Sequence, residues 1–480
     1  MQETILFTDL RHIRCGDLEW FSPDRVKIPL IKPPEPQVDL YAGTGLMPHG
    51  VRFAAQQANK AEPMPRSVGK VIFDDGIYRS WSLKVNYKPE EELGAYSTTE
   101  PDSVVIVYSE SKDGFEWTNF NPSVINVPEQ TRFDGFTFFI DPKSSPDEHY
   151  KAVYTAYPPK SEIKSLWEKY EKVHPRHKDL RMRSDHIYCM YGIVSPDGIN
   201  WTPIPEPLMV HMSDTDTTVY YDKWLDRYVM YTRLYWQERR WVGRAESEDF
   251  RNWTPVEPLL CPDLNGHFSD DIYTNGRTQY PDMPEYHLMF PMIYHRYDQT
   301  SEIHLYSSAD GVCWNHVPGG AVIKPGLPGE WDSEYIVAGR DLVPLGKDRI
   351  GIPYHGTSFP HKYPRWDGVL SAGKTAWAWW QKGRICAVVA DEEGEFTTFP
   401  LIPKGREIRI NARTRHAGMI RVGLVGVAGR SVDDCDPIVG DNLAHSVHWK
   451  GQSDIGVNDD KRVTLHFKLR NAELFSVEWG

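Results

Sequence analysis

Acidic residues recur along this chain where strands open: Asp134, Asp214, Asp216, Asp270, Asp271, Asp332 and Glu334, with Glu62 upstream. Two carboxyl groups facing one pocket are what cleavage of a glycosidic bond requires. One protonates the leaving oxygen, and the other attacks the anomeric carbon or activates water. Any single Asp of this kind also reads as a turn residue capping backbone amides. Recurrence at equivalent places favours the catalytic reading, and the leading candidates are Asp134, Asp216 and Glu334, with Asp271 next. Glu334 suits the general acid, because its side chain reaches further and Trp331 and Tyr335 would raise its pKa by desolvation. Asp134 or Asp216 then serves as base or nucleophile.

Arg132, Arg233, Arg244, His267, Trp331, His355 and His361 are candidates for holding sugar hydroxyls. His355 and His361 bound a loop, His-Gly-Thr-Ser-Phe-Pro-His, that lacks a third metal ligand, so no metal is expected there. No phosphate loop, dinucleotide fingerprint or nucleophile elbow is present, and no cofactor is called for.

The elements that must position these acids come from a repeat. Ser111-Lys-Asp-Gly-Phe-Glu-Trp117 returns as Ser195-Pro-Asp-Gly-Ile-Asn-Trp201, Ser247-Glu-Asp-Phe-Arg-Asn-Trp253 and Ser308-Ala-Asp-Gly-Val-Cys-Trp314. Asp-Gly supplies the positive φ and side-chain-to-backbone bonding of a tight turn, and the Trp plugs the next layer. Alternating aromatic strands precede each copy: 77–83, 149–157, 227–235 and 286–295. A fifth unit, without the turn, runs through Trp331–Val337, Arg349–Gly356 and Lys374–Arg384. Five units of three or four strands predict an all-β chain built on a five-bladed β-propeller over residues 1–390. Val68–Asp74 would be the inner strand of the first blade, with the N-terminal segment helping to close the ring. Ser161–Ser184 reads as a helical insertion, either overhanging the pocket or lying solvated on the surface. Residues 391–480 predict a small β-sandwich.

Composition agrees with strands and turns: 17 Trp and 25 Tyr stand beside 36 Gly and 37 Pro. A net charge of −13 argues against a nucleic-acid partner. Apolar runs such as Val104–Tyr108 are far short of the roughly 20 residues of a membrane span. Six scattered cysteines without a CxxC pair, and a start without a signal-peptide pattern, point to a cytoplasmic protein.

The propeller–sandwich order is similar to that of the five-bladed propeller glycoside hydrolases, families 32, 43, 62 and 68, of which family 32 also has a C-terminal sandwich. Other features resemble a large group of bacterial hydrolase-like proteins. These are the opening Leu6-Phe7-Thr8-Asp9, the Y-R-x-W of Tyr78–Trp81, the S-P-D-G-x-x-W turn and the ending Leu469-Arg-Asn-Ala-Glu-Leu-Phe-Ser476. No W-M-N-D-P-N-G-like stretch and no E-C pair of the invertase kind is present. The resemblance implies a glycoside hydrolase acting on a carbohydrate, with a third carboxylate that tunes the acid. A capped funnel would make it exo-acting. A sialidase-like hydrolase, a carbohydrate lyase and a non-catalytic glycan-binding propeller are the alternatives.

Overall fold

A computed structural model describes residues 4–14, 20–21, 27–28, 46–66, 68–85, 104–123, 134–173, 188–211, 213, 215–361, 373–458 and 461–480. The described chain is β-structure with one α-helix, Ile163–Val173, and short 3-10 turns. It divides into two compact units, one of residues 58–316 and 321–379, the other of 1–57, 317–320 and 380–480.

The larger unit is made of antiparallel meanders. The first sheet takes Lys70–Asp74, Ile77–Val85, Val104–Ser111 and Trp117–Ser123 in chain order. The second takes Asp134–Ile140, Tyr150–Ala156, Cys189–Ser195 and Thr202–Pro203. Thr218–Asp222, Arg227–Trp236, Arg239–Ser247 and Glu257–Leu260 make the third. The fourth unit is split into two ladders, led by Asp270–Thr274 and Arg277–Tyr280. Two residues explain the break. Pro291 has no N–H to give a ladder, and Gly276 adopts φ 52° with its α-carbon so close that an added Cβ would lie 2.4 Å from the Phe290 carbonyl oxygen. The fifth sheet joins Tyr335–Ala338, Arg349–Thr357 and Lys374–Gln381 to Asn59–Lys60, brought from far upstream.

These groups touch in a closed cycle. Lys70–Asp74 meets Asp134–Ile140, which meets Thr218–Asp222; the third sheet meets Asp270–Thr274; Met292–His295 and Ser301–Ile303 meet Tyr335–Ala338; and Val343–Pro344 returns to Lys70–Asp74. The repeated turns fasten the cycle. In each copy the Trp indole donates to the carbonyl three residues back, Trp117 to Gly114 at 3.1 Å, Trp201 to Gly198 at 3.0 Å, Trp253 to Phe250 at 2.9 Å and Trp314 to Gly311 at 3.1 Å. Three of those carbonyls also accept a bond from the preceding group: Trp377 to Gly114 at 2.8 Å, Trp81 to Gly198 at 2.7 Å and Tyr231 to Gly311 at 2.6 Å. In the remaining copy Phe250 takes the positive φ itself, at 67°, and inserts its buried ring between Phe139 and Tyr228.

Helix Ile163–Val173 falls inside the expected insertion and packs Leu166 and Tyr170 into the aromatic core of the second sheet. The rest of that insertion, 174–184, lies outside the described residues.

The smaller unit holds a two-stranded ribbon, Trp20–Phe21 with Lys27–Ile28, and a seven-stranded sheet ordered Ile13–Arg14, Cys386–Thr398, Leu465–Trp479, Ile408–Leu424, Asp441–Ser446, with Thr4–Leu6 and Arg52–Ala55 on its flanks. Register shifts between Ala390 and Glu393 and between Thr414 and Met419 interrupt its long strands, the positions where a sheet bends. Phe7, Phe396, Phe467, Trp449 and Trp479 fill its core. In this stretch of the chain the two compact units meet in sequence at 379/380. The N-terminal segment also divides: Asn59–Lys60 completes the fifth sheet, whereas residues 1–57 join the smaller unit. The reason is that Thr4–Leu6 and Arg52–Ala55 are short strands that pair with the long strands Leu465–Trp479 and Cys386–Thr398.

Candidate functional site

The leading ends of the first strands enclose a cavity of about 340 Å³ in the larger unit. Its walls include Lys70 of the first sheet, Gly135 and Phe136 of the second, Thr215 and Asp216 entering the third, Thr274 of the fourth, and Tyr335, Tyr354 and His355 of the fifth. A meander whose first strand faces its neighbours' first strands must present strand-start residues to one common space, so the fold gathers groups distant in sequence.

Among the described residues, Asp216 is the carboxylate on this wall. Lys70 Nζ and Arg340 Nε each lie 3.4 Å from its Oδ1. Burial raises the Asp216 pKa, and the charge and hydrogen bond of Lys70 oppose that shift. Arg340 is buried and donates to the carbonyls of Thr217 and Phe136, so one guanidinium ties the second and third sheets beside Asp216. Next along the chain, Asp341 is pushed up to about 7, chiefly by burial; Arg277 and Lys70 pull it down, and Asp216 adds to the rise. Asp341 lines a second cavity of about 300 Å³, bounded by the trailing ends of the same strands, including Ile72, Thr137 and Tyr220.

Behind Tyr354, buried Asp332 accepts from the phenol at 2.9 Å and from Lys60 Nζ at 2.7 Å. Burial first, then Asp332, raises the Tyr354 pKa, so the phenol stays protonated. Trp331 backs the same ring, centroids 5.5 Å apart. Burial lowers the His355 pKa and keeps its imidazole neutral at pH 7. Neutral imidazole, phenol, ammonium and a raised carboxyl together make a surface able to exchange protons and hydrogen bonds with a polar ligand.

Of the residues singled out from sequence, Asp216 and His355 line this cavity. Asp134 opens the strand whose next residue, Gly135, lines it; its side chain, together with Arg132 and Asp214, lies outside the described residues. Glu334 precedes the lining residue Tyr335 and bonds Thr357 and Ser301 through its backbone, at 3.1 and 3.2 Å. Asp271 sits elsewhere: fully buried, it accepts from the Arg240 backbone at 3.1 Å and from its guanidinium at 2.5 Å. Its neighbour Asp270 pairs with His295 at 2.8 Å. Arg244 pairs with Glu246 at 2.5 Å within the third sheet. His267 bonds Ser269 at 2.8 Å on an exposed loop, and Glu62 is exposed. Arg233 lies 4.5 Å over the Tyr235 ring and 5.7 Å over Tyr273. His361 bonds the Tyr273 hydroxyl at 3.1 Å and stacks on Tyr335, centroids 4.7 Å apart.

Lys70, Tyr354, Arg340 and Asp341 escaped the sequence reading. Lys70 follows Gly69 at the head of the first inner strand, a position that strand periodicity exposes to the axis. Arg340 and Asp341 sit in a loop after a strand and carry no periodic signal. Among the described residues no three His, Cys, Asp or Glu side chains gather as a metal site, and no helix is long and apolar enough to cross a membrane.

No family model and no curated protein matches the sequence. Solved structures that resemble the chain include glycoside hydrolases and a phosphorylase. A β-1,2-mannobiose phosphorylase from Listeria innocua is similar at 12% identity, covering 71% of this chain and 94% of its own, with TM-score 0.43. A family 32 β-fructofuranosidase from Bombyx mori covers 90% of this chain and 93% of its own at 11% identity and TM-score 0.39. An N-acetylgalactosamine deacetylase from F. plautii covers 69% and 96% at 14% identity and TM-score 0.39. All are distant likenesses.

Proposed function

We propose that the larger unit is a five-bladed β-propeller and that it cleaves a glycosidic bond of a carbohydrate in the cavity at the strand starts. We further propose that the long strands of the smaller unit bend at their register shifts into a β-sandwich. The observation that carries the functional reading is Asp216, a carboxyl with a raised pKa on the wall of a largely apolar cavity that every sheet of the cycle helps to line.

In this reading Asp216, in place of the Glu334 expected from the sequence, holds the proton for the leaving oxygen, a role that burial favours by raising its pKa. The second carboxyl comes from Asp134 or Glu334. Gly135 supports the first choice: a Cβ there would lie 2.8 Å from the Thr215 carbonyl oxygen, so the segments bearing Asp134 and Asp216 run side by side. Lys70 and Arg340 hold Asp216 in place, and Tyr354 and His355 offer hydrogen bonds to hydroxyls. The cavity volume lies at the small end of the range for small-molecule pockets, which supports release of a short unit from a chain end.

The test is an activity screen over aryl glycosides and oligosaccharides with the wild-type chain and Asp216→Asn, Asp134→Asn and Glu334→Gln variants. Loss of roughly 10²–10⁴-fold in turnover is expected for Asp216→Asn with an unchanged circular dichroism spectrum. Wild-type turnover in that variant removes Asp216 from the chemistry. Saccharide binding without turnover in the wild type identifies a glycan-binding protein instead.

A further inference from the structure

Beside the cavity lies a group of guanidinium ions that outnumbers its counter-charges. Asp271 is surrounded by Arg240 at 2.5 Å, Arg296 at 3.9 Å and Arg239 at 4.0 Å. Among the described residues, one buried carboxylate therefore faces three cations. Arg239 Nε and Nη2 and Arg240 Nε are buried and have no hydrogen-bond acceptor among the described residues, an arrangement that costs free energy unless a ligand supplies acceptors. The group opens outward, because the Arg239 and Arg296 side chains are 22% and 44% exposed. It also adjoins the cavity through a short chain of contacts. Arg240 lies 4.4 Å over the Tyr273 ring, Tyr273 bonds His361, and His361 stacks on the cavity residue Tyr335.

We propose that this cluster is a subsite for an anionic group of the substrate, a sugar carboxylate or sulfate ester, gripped by Arg239, Arg240 and Arg296. The inference rests on the reading of the cavity as a saccharide site. A carboxylate or sulfate has coplanar or tripodal oxygens that accept two N–H bonds from one guanidinium, and the partly desolvated setting strengthens those bonds. Asp271 then orients Arg240 rather than neutralising the cluster, and the aromatic rings of Tyr273 and Tyr294 keep the positive charge desolvated by lying against its face.

The test uses the full chain and matched pairs of probes: galacturonate oligosaccharides with their methyl esters, and sulfated oligosaccharides with their desulfated forms. Binding is measured by calorimetry at two salt concentrations. The wild type is expected to bind at least one acidic member tenfold or more tighter than its neutral partner, with the ratio falling at high salt. The pair that shows the ratio tells carboxylate from sulfate. In Arg239→Gln the ratio should fall at least tenfold. Should that variant fail to fold, Arg296→Gln, at a more exposed position, provides the same reading. Equal affinity for charged and neutral members overturns the inference while leaving the saccharide reading intact. Retention of the ratio in both variants overturns the assignment of these arginines. Binding of neither member overturns the inference and the saccharide reading together.

Discussion

The turns on the outside of the larger unit and the acids at its strand starts are both repeats, yet the structure treats them differently. The four turns are alike to a few tenths of an ångström, with Ser111, Ser195, Ser247 and Ser308 bonding the following Asp at 3.0, 3.0, 3.1 and 3.0 Å. The acids share a sequence position and little else. Asp216 lines the cavity, Asp271 is clamped by Arg240, and Asp332 is buried beneath Tyr354. Periodicity therefore marks what every sheet needs to close, and chemistry begins where copies stop matching.

The largest expected effect separates two acids that sequence position cannot. Asp271→Asn leaves Arg239, Arg240 and Arg296 without their counter-charge. Removing one partner of a buried pair costs about 3–5 kcal/mol, so chemical denaturation should show a markedly lowered midpoint. Asp216→Asn should lower that midpoint less, since burial already opposes its charged form and Arg340 keeps its bonds to the Thr217 and Phe136 carbonyls. Equal midpoints for the two variants would erase the distinction.

Next in size is the closure of the cycle. Trp377 is fully buried, and its indole bonds Gly114 in the first sheet. Trp377→Ala removes both the packing and the bond, at an expected cost of about 3–5 kcal/mol. Trp377→Phe keeps most of the ring and should cost less, leaving the Gly114 carbonyl with its bond from Trp117. If Ala and Phe cost the same, the indole bond is what holds the first and fifth sheets together.

Much of this was legible in the sequence because it repeats. The turn motif located four hairpins, and the alternation in 227–235 gave a strand observed as Arg227–Trp236. The split of the fourth unit at Gly276 and Pro291 was not legible, because the stretch Tyr286–His295 alternates straight through the break. Nor was the route of residues 1–57, which depends on pairing with the distant strands Cys386–Thr398 and Leu465–Trp479. At the site, the acidic strand starts were visible but their partners were not. Arg240 and Arg340 reach their acids across 31 and 124 positions, and no local pattern announces such pairings.

A pH series sharpens the inner side of the comparison. The Asp341 carboxyl is raised in the folded chain from 3.8 to about 7. Ionising it therefore opposes folding: the penalty is absent below pH 3.8 and complete above about 7. Asp341→Asn removes the titration, so its stability relative to wild type should climb between those limits, by up to about 4 kcal/mol. A difference that stays flat from pH 4 to 8 would show that Asp341 is not held above its ordinary value.

The smallest effect belongs to the outer turns, and its pH dependence has the opposite sign. Burial alone would raise the Asp197 carboxyl, but backbone donors from Asn200 and Ile199, with the Asn200 side chain and Ser195, outweigh it and hold the pKa at about 2. A carboxyl depressed in the folded state stabilises above its unfolded value and ceases to do so as pH falls toward the folded one. Asp197→Ala should thus cost about 1 kcal/mol near neutrality, because the site is exposed and solvent screens the gain. The deficit should shrink as pH drops from about 4 toward 2. Asp249→Ala should do the same, since its carboxyl is held at about 2 by the Asn252 backbone first. Matching the two variants matters more than either value. The third turn replaces glycine by Phe250, yet the Arg251 and Asn252 amides still donate to the Asp249 carboxylate at 2.8 and 2.7 Å. If only Asp197→Ala showed the deficit, the carboxylate bonds in the Phe250 turn would carry no stability, and that turn would be held by its ring packing alone.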